Sequence, residues 1–168
     1  MTQLTHYTSA FEPQTFPITV LCENVTNAPN IGSLFRICDA FGVEQLIFSG
    51  EHLPIPSRKM QKTSRSTEKH VSYKITGNLL GYINTIKDTH YIIAIEITDN
   101  SVPLQSYTIN TDKPIAIIIG DENFGVSEAI LKLVNDIVHI EMFGHNSSMN
   151  VVQAANIALY ELTKQLVK

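Results

Sequence analysis

PIAIIIG, residues 114–120, runs from a proline to a glycine with only isoleucine and alanine between them. A strand with no polar residue on either face is buried on both, and a sheet buried on both faces is covered by helices. This segment predicts a layered α/β fold with a mostly parallel sheet flanked by helices. Further strands read outward from it. They are ITVLCENV (18–25), a short apolar, β-branched run, then QLIFSG (45–50), YIIAIEIT (91–98) and DIVHIEM (136–142). Between them lie helical patterns. Asn30 is expected to cap IGSLFRICDAFG, with Ile31, Leu34, Phe35 and Cys38 on one face and Gly42 as its stop. GNLLGYINTIKDT (77–89) and SEAILKLV (127–134) are expected as helices, and a long one runs from Asn150 to Val167. Residues 51–76 hold Pro54, Pro56 and many Ser and Thr, and are expected to be mostly loop.

The 168 residues suit a single domain spanning 1–168. A hydrophobic share of 43% against 17% charged excludes a disordered chain. No apolar run approaches the ~18 residues that span a bilayer, and the amino terminus lacks a basic start followed by an apolar stretch. A cytoplasmic protein with no membrane partner is expected. Cys22 and Cys38 lie in apolar segments, too far apart for a redox or metal pair, and read as buried reduced thiols. The six histidines show no ligand spacing, so no metal is expected.

The net charge of −4 argues against a nucleic-acid partner until its distribution is considered. Between Ser57 and Lys74 lie Arg58, Lys59, Lys62, Arg65, Lys69 and Lys74, half of the chain's 12 basic residues, against one acid, Glu68. Charges more than about 10 Å away are screened at ~0.1 M salt, so such a patch attracts phosphate on an acidic protein. Arg58, Lys59, Lys62, Arg65 and Lys69 are the candidate RNA contacts.

Ligands of open α/β sheets bind beyond the carboxyl ends of the strands, so the strand-end turns carry the chemistry. Three stand out. In NIGSLFR, Asn30 and Arg36 lie six residues apart at a helix start, a spacing that lets both face one strand-end cleft. In GDENFG (120–125), Glu122 sits between two glycines that let backbone approach a ligand. The turn is neither a dinucleotide fingerprint nor a phosphate-cradling Walker loop. In GHNSSMN (144–150), Ser148 and Asn150 lead into the last helix, where helix capping alone accounts for one of them. A serine hydrolase would need a G-x-S-x-G elbow, which is absent.

Taken in order, the three segments resemble the SpoU/TrmH family of RNA ribose methyltransferases, of the SPOUT class. The first motif appears as Asn30, Gly32 and Arg36. The second appears as Gly120, Glu122, Gly125, Val126 and Ser127, and the third as IEMFG and SMNVVQA. The match covers roughly residues 18–163, with Glu141 and Val152 departing from the usual pattern. The resemblance implies a homodimer and a C-terminal trefoil knot. It implies S-adenosyl-L-methionine held by backbone at Ile95, Gly120, Ile140 and Met149. It further implies methyl transfer to a ribose 2′-hydroxyl of structured RNA, with catalytic residues Asn30, Arg36, Glu122, Ser148 and Asn150. In that scheme Arg36 stabilises the developing alkoxide and Asn30 orients Arg36. With no additional N-terminal RNA-binding domain, tRNA is favoured over rRNA. The alternative is an RNA-binding homologue that keeps the fold without methyl transfer.

Overall fold

The computed structural model describes residues 3–4, 9, 11–121 and 123–167. In chain order these form β1 (Phe16–Glu23), α1 (Ala28–Ala40), β2 (Val43–Ser49), α2 (Arg58–Ser64), β3 (Ser72–Thr76), α3 (Leu79–Ile86), β4 (Tyr91–Ile95), β5 (Val102–Pro103), β6 (Ile115–Ile119), α4 (Glu128–Leu131), β7 (Asp136–His139) and α5 (Val151–Leu166). The strands pair in parallel throughout, in the order β3-β2-β1-β6-β4-β7-β5.

The isoleucine run is buried along its whole length, as its composition requires. Its alternate residues serve two cores. Ile115, Ile117 and Ile119 face one that includes Leu34 and Phe35 of α1, Met60 of α2 and Leu159 of α5. Ala116 and Ile118 face the other, beneath Leu79 and Ile83 of α3 and Ile130 of α4. Each such isoleucine contributes about 1.5–3 kcal/mol on burial.

Two expectations need correcting. Helix α1 starts earlier than Asn30. Asn27 is the cap, its side-chain oxygen accepting from Asn30 N at 3.2 Å, and Pro29 sits in the first turn, where its fixed φ is at home. Residues 51–76 are not mostly loop. Ser57 caps α2 by accepting from Met60 N at 3.3 Å, and β3 pairs with β2 as an edge strand. Both elements bury too few apolar side chains to show periodicity: α2 buries Met60 and Ser64, and β3 is exposed along most of its length. The two-residue β5, at the opposite edge, carries no periodic signal at all.

Gly32 explains why α2 lies where it does. A Cβ there would stand 2.1 Å from both the Met60 carbonyl oxygen and Thr63 Oγ1. Its absence lets the basic helix pack directly on the first turns of α1, where the Thr63 hydroxyl donates to the Pro29 carbonyl at 3.0 Å. Toward the opposite edge of the sheet, the segment after β5 is fastened twice. Tyr91 and Tyr107 both donate to Asp136 Oδ2, at 2.7 and 2.6 Å. Gln165 of α5 accepts from Ile109 N and donates to the Tyr107 carbonyl. The shared carboxylate and burial hold both phenols protonated, above their ordinary range.

Candidate active site

Beyond the carboxyl ends of β4, β6 and β7 lies a cleft of about 430 Å³. That is within the usual range for a small-molecule site. Ile95, Gly120, Ile140 and Met149, the four residues named from sequence for the cofactor, all line it.

The wall formed by residues 120, 121 and 123–127 is knitted by hydrogen bonds, with Val126 also packed into the second core. Asp121 Oδ1 accepts from Asn123 N at 2.6 Å and Phe124 N at 2.8 Å, and Gly125 N donates to the Asp121 carbonyl. Two further carboxylates take consecutive amides: Glu96 accepts from Val126 N and Glu23 from Ser127 N, each at 2.8 Å. Gly125, at φ 65°, leaves the space Glu96 occupies, since a Cβ there would lie 2.2 Å from Glu96 Oε2. A Cβ on Gly120 would meet the Gly125 backbone at 2.0 Å. Glu23, Glu96 and Asp121 were not singled out from sequence. The available signal was position, since each is the last residue of a strand or lies within two residues of its end.

Of the residues named for chemistry, the structure brings Asn30 and Asn150 together. Asn150 Oδ1 accepts from Val152 N at 2.9 Å, capping α5, while its Nδ2 donates to Asn30 Oδ1 at 3.2 Å. One amide therefore serves both as helix cap and as a bridge between the first and third motifs. Ser148 lines the cleft from an exposed loop. Arg36 is exposed on α1 and is not part of the cleft lining. Six residues rotate it about 120° around the helix from Asn30. Its guanidinium makes no hydrogen bond or ion pair with the described residues. Glu122 lies outside the described residues. Cys22 and Cys38 are fully buried, and burial pushes both thiols well above their ordinary range, so neither is a nucleophile.

His139 also lines the cleft, and its Nδ1 lies 2.9 Å from the Ser101 hydroxyl. Among the described residues, no three His, Cys, Asp or Glu side chains cluster as a metal site.

Arg58, Lys59, Lys62, Arg65 and Lys69 are all exposed on or just after α2, and none is in an ion pair with a described residue. The one acid among them, Glu68, is turned onto the Ser64 hydroxyl at 2.5 Å. The cations are left to face solvent.

The model of the SpoU rRNA methylase family matches residues 17–160, across all three motifs. The chain belongs to this family. The SpoU chain is 31% identical over 154 residues to a tRNA (guanosine(18)-2′-O)-methyltransferase of Thermus thermophilus, covering 90% of this chain and 76% of that one. It is 27% identical over 146 residues to a TrmH-family protein of Staphylococcus saprophyticus, covering 87% of this chain. It spans only 58% of that relative's length. A solved TrmH/SpoU tRNA-modifying enzyme of A. aeolicus superposes with a TM-score of 0.80 at 27% identity, covering 91% of this chain and 76% of the other.

Proposed function

We propose that this SpoU-family chain transfers a methyl group from S-adenosyl-L-methionine to a ribose 2′-hydroxyl of RNA, with tRNA favoured over rRNA. One observation carries the proposal. The four residues named for the cofactor line a single cleft, and the Asn30–Asn150 bridge ties the helix of the first motif to the third-motif loop that helps form it. The site's chemistry fits the cofactor. Apolar side chains such as Ile95, Ile119, Ile140 and Met142 suit its adenine, and the glycine turn offers backbone groups at close range.

When bound, S-adenosylmethionine supplies a methyl on a sulfonium that leaves its sulfur as the ribose oxygen attacks, so the one proton to be lost is that of the 2′-hydroxyl. Alignment and alkoxide stabilisation are then the tasks left to the protein. The Arg36 guanidinium serves as the cation that stabilises developing alkoxide and an adjacent phosphate, with the proton passing to phosphate or water. Asn30 and Asn150 fix the helix that carries Arg36 relative to the third-motif loop. Ser148 and Glu122 hold the hydroxyl.

The same reading includes the knot. It is supported by β4 lying between β6 and β7, so that the chain leaving β6 crosses the end of β4. The fastening of α5 to the 107–109 segment also supports it. The reading places the protein in the cytoplasm with its substrate. Among the described residues no helix is long and apolar enough to cross a membrane.

The test is methyl transfer from labelled S-adenosylmethionine into total tRNA and rRNA, followed by alkaline hydrolysis. A 2′-O-methyl blocks cleavage at its own phosphate, so the label is expected in resistant dinucleotides from tRNA. Label in mononucleotides would mean base methylation and would overturn the ribose assignment. Binding of RNA with no transfer at all would favour the non-catalytic homologue.

Reversing the charges of Lys59, Lys62 and Arg65 to glutamate is expected to weaken RNA binding and flatten its salt dependence. The log–log slope should fall by roughly 0.7–0.9 per lost phosphate contact. Cofactor affinity should be unchanged, because α2 contributes no residue to the cleft. Wild-type affinity with the wild-type slope would remove the cluster from the RNA path.

A homodimer through α5 is part of the proposal. The helix leaves Ile157 and Tyr160 exposed, with Tyr160 edge-on to Phe41 at 6.5 Å, beside a face already used for the core. Light scattering at micromolar concentration is expected to give about twice 18.7 kDa; a value of one chain mass would refute the dimer.

A further inference from the structure

Phe124 stands at the tip of the turn after β6 with 88% of its surface exposed, yet it lines the cleft. Nothing among the described residues covers the ring. Its backbone is held firmly: Phe124 N and Asn123 N are bound by Asp121, and the two amides after Gly125 are bound by Glu96 and Glu23. An exposed aromatic ring carried on an ordered backbone at a site's mouth is partly pre-organised for a flat partner, because the ordering of its backbone precedes binding. The basic helix supplies charge and no stacking surface. Tyr73, the one aromatic near it in sequence, is already packed edge-on against Phe35 at 5.1 Å and 87°. Phosphate contacts made along α2 hold a strand without gripping any base.

We propose that Phe124 is the stacking platform for the nucleobase whose ribose enters the cleft, which rests on RNA being the substrate. A phenyl ring offers a π face and no donor or acceptor. It therefore holds the base in place without reading its identity. Its role is to orient the ribose, and the choice of nucleotide falls to other contacts.

The chain has no tryptophan, so Phe124→Trp creates a single fluorescent reporter at an exposed site. The protein is first saturated with S-adenosylhomocysteine, and total tRNA is then added. The expected result is quenching on tRNA addition. Phe143→Trp, equally exposed at 90% but outside the cleft lining, should respond much less. Phe124→Leu is expected to lower kcat/KM for tRNA about tenfold, the scale of one lost base stack, while Phe124→Tyr retains most of it. Quenching by S-adenosylhomocysteine alone, with no further response to tRNA, would overturn the proposal by assigning the ring to the cofactor. A signal that follows protein concentration and ignores tRNA would assign it to a subunit contact, with the same consequence. Filter retention of tRNA separates the two levels of inference. If the wild type retains none, the RNA assignment fails and this proposal with it. If the wild type and Phe124→Leu retain tRNA equally and the indole is silent, only the stacking role fails.

Discussion

Arg36→Ala is expected to reduce methyl transfer by about 10²–10³-fold, the scale of losing one pre-organised charge-stabilising group, while S-adenosylmethionine binds with near wild-type affinity. The division follows from where the side chain is. Arg36 is exposed on α1, touches no described partner through a hydrogen bond or ion pair, and is absent from the cleft lining. Its removal empties no cavity and strands no buried charge. Alanine is the better helix former, so stability should stay within about 0.5 kcal/mol. Folding and cofactor binding are then separable from chemistry. Arg36→Lys keeps the charge but loses the planar fork that grips phosphate and alkoxide together, and should recover only part of the rate. Single-turnover kinetics beside calorimetry checks the claim. A folded Arg36→Ala protein that no longer binds S-adenosylmethionine would show that Arg36 belongs to the cofactor site.

The parts of this molecule legible in its sequence are those where one physical demand dominates. Ile115–Ile119 can only be a strand buried on both faces, and the structure splits it between two cores. The start of α1 differs from the sequence expectation because two asparagines compete for the cap. Asn27 wins because Pro29 fits the first helical turn, and this frees the Asn30 side chain to receive Asn150. The basic segment was visible as charge but not as a helix, since Met60 is its one buried apolar anchor. Gly32 matched a motif without a reason. Its reason is a contact 28 residues away in sequence, the carbonyl of Met60. Glu23 and Glu96 were silent for a similar cause. A carboxylate at a strand end looks like a solvated terminus until the turn whose amides it binds is brought beside it. Local pattern specifies elements, whereas the clasping of one strand-end turn by two others is a property of the sheet order.

That clasp makes Gly120→Ala the most consequential small substitution in the cleft. The added Cβ would lie 2.0 Å from the Gly125 carbonyl carbon, 2.1 Å from its oxygen and 2.4 Å from Val126 N. These are backbone atoms, which cannot rotate away as a side-chain tip would. The turn therefore has to move as a unit. To do so it must release Val126 N from Glu96 and Ser127 N from Glu23, because both carboxylates are rooted at the ends of rigid strands. Overpacking of this kind costs about 1–3 kcal/mol. If the strain stays in the folded protein it appears as lost stability. If the turn swings outward, it withdraws the wall of the cleft, and S-adenosylmethionine affinity falls by roughly 5- to 150-fold for the same energy. Calorimetry and a thermal midpoint measured on one preparation distinguish the two. The combined penalty is expected to exceed that of Gly144→Ala, where an added Cβ meets nothing within 4 Å although the position lies in the neighbouring third-motif loop. Gly120→Ala with unaltered stability and affinity would mean that the turn is loose, and that the carboxylate clasp does not shape the cofactor site.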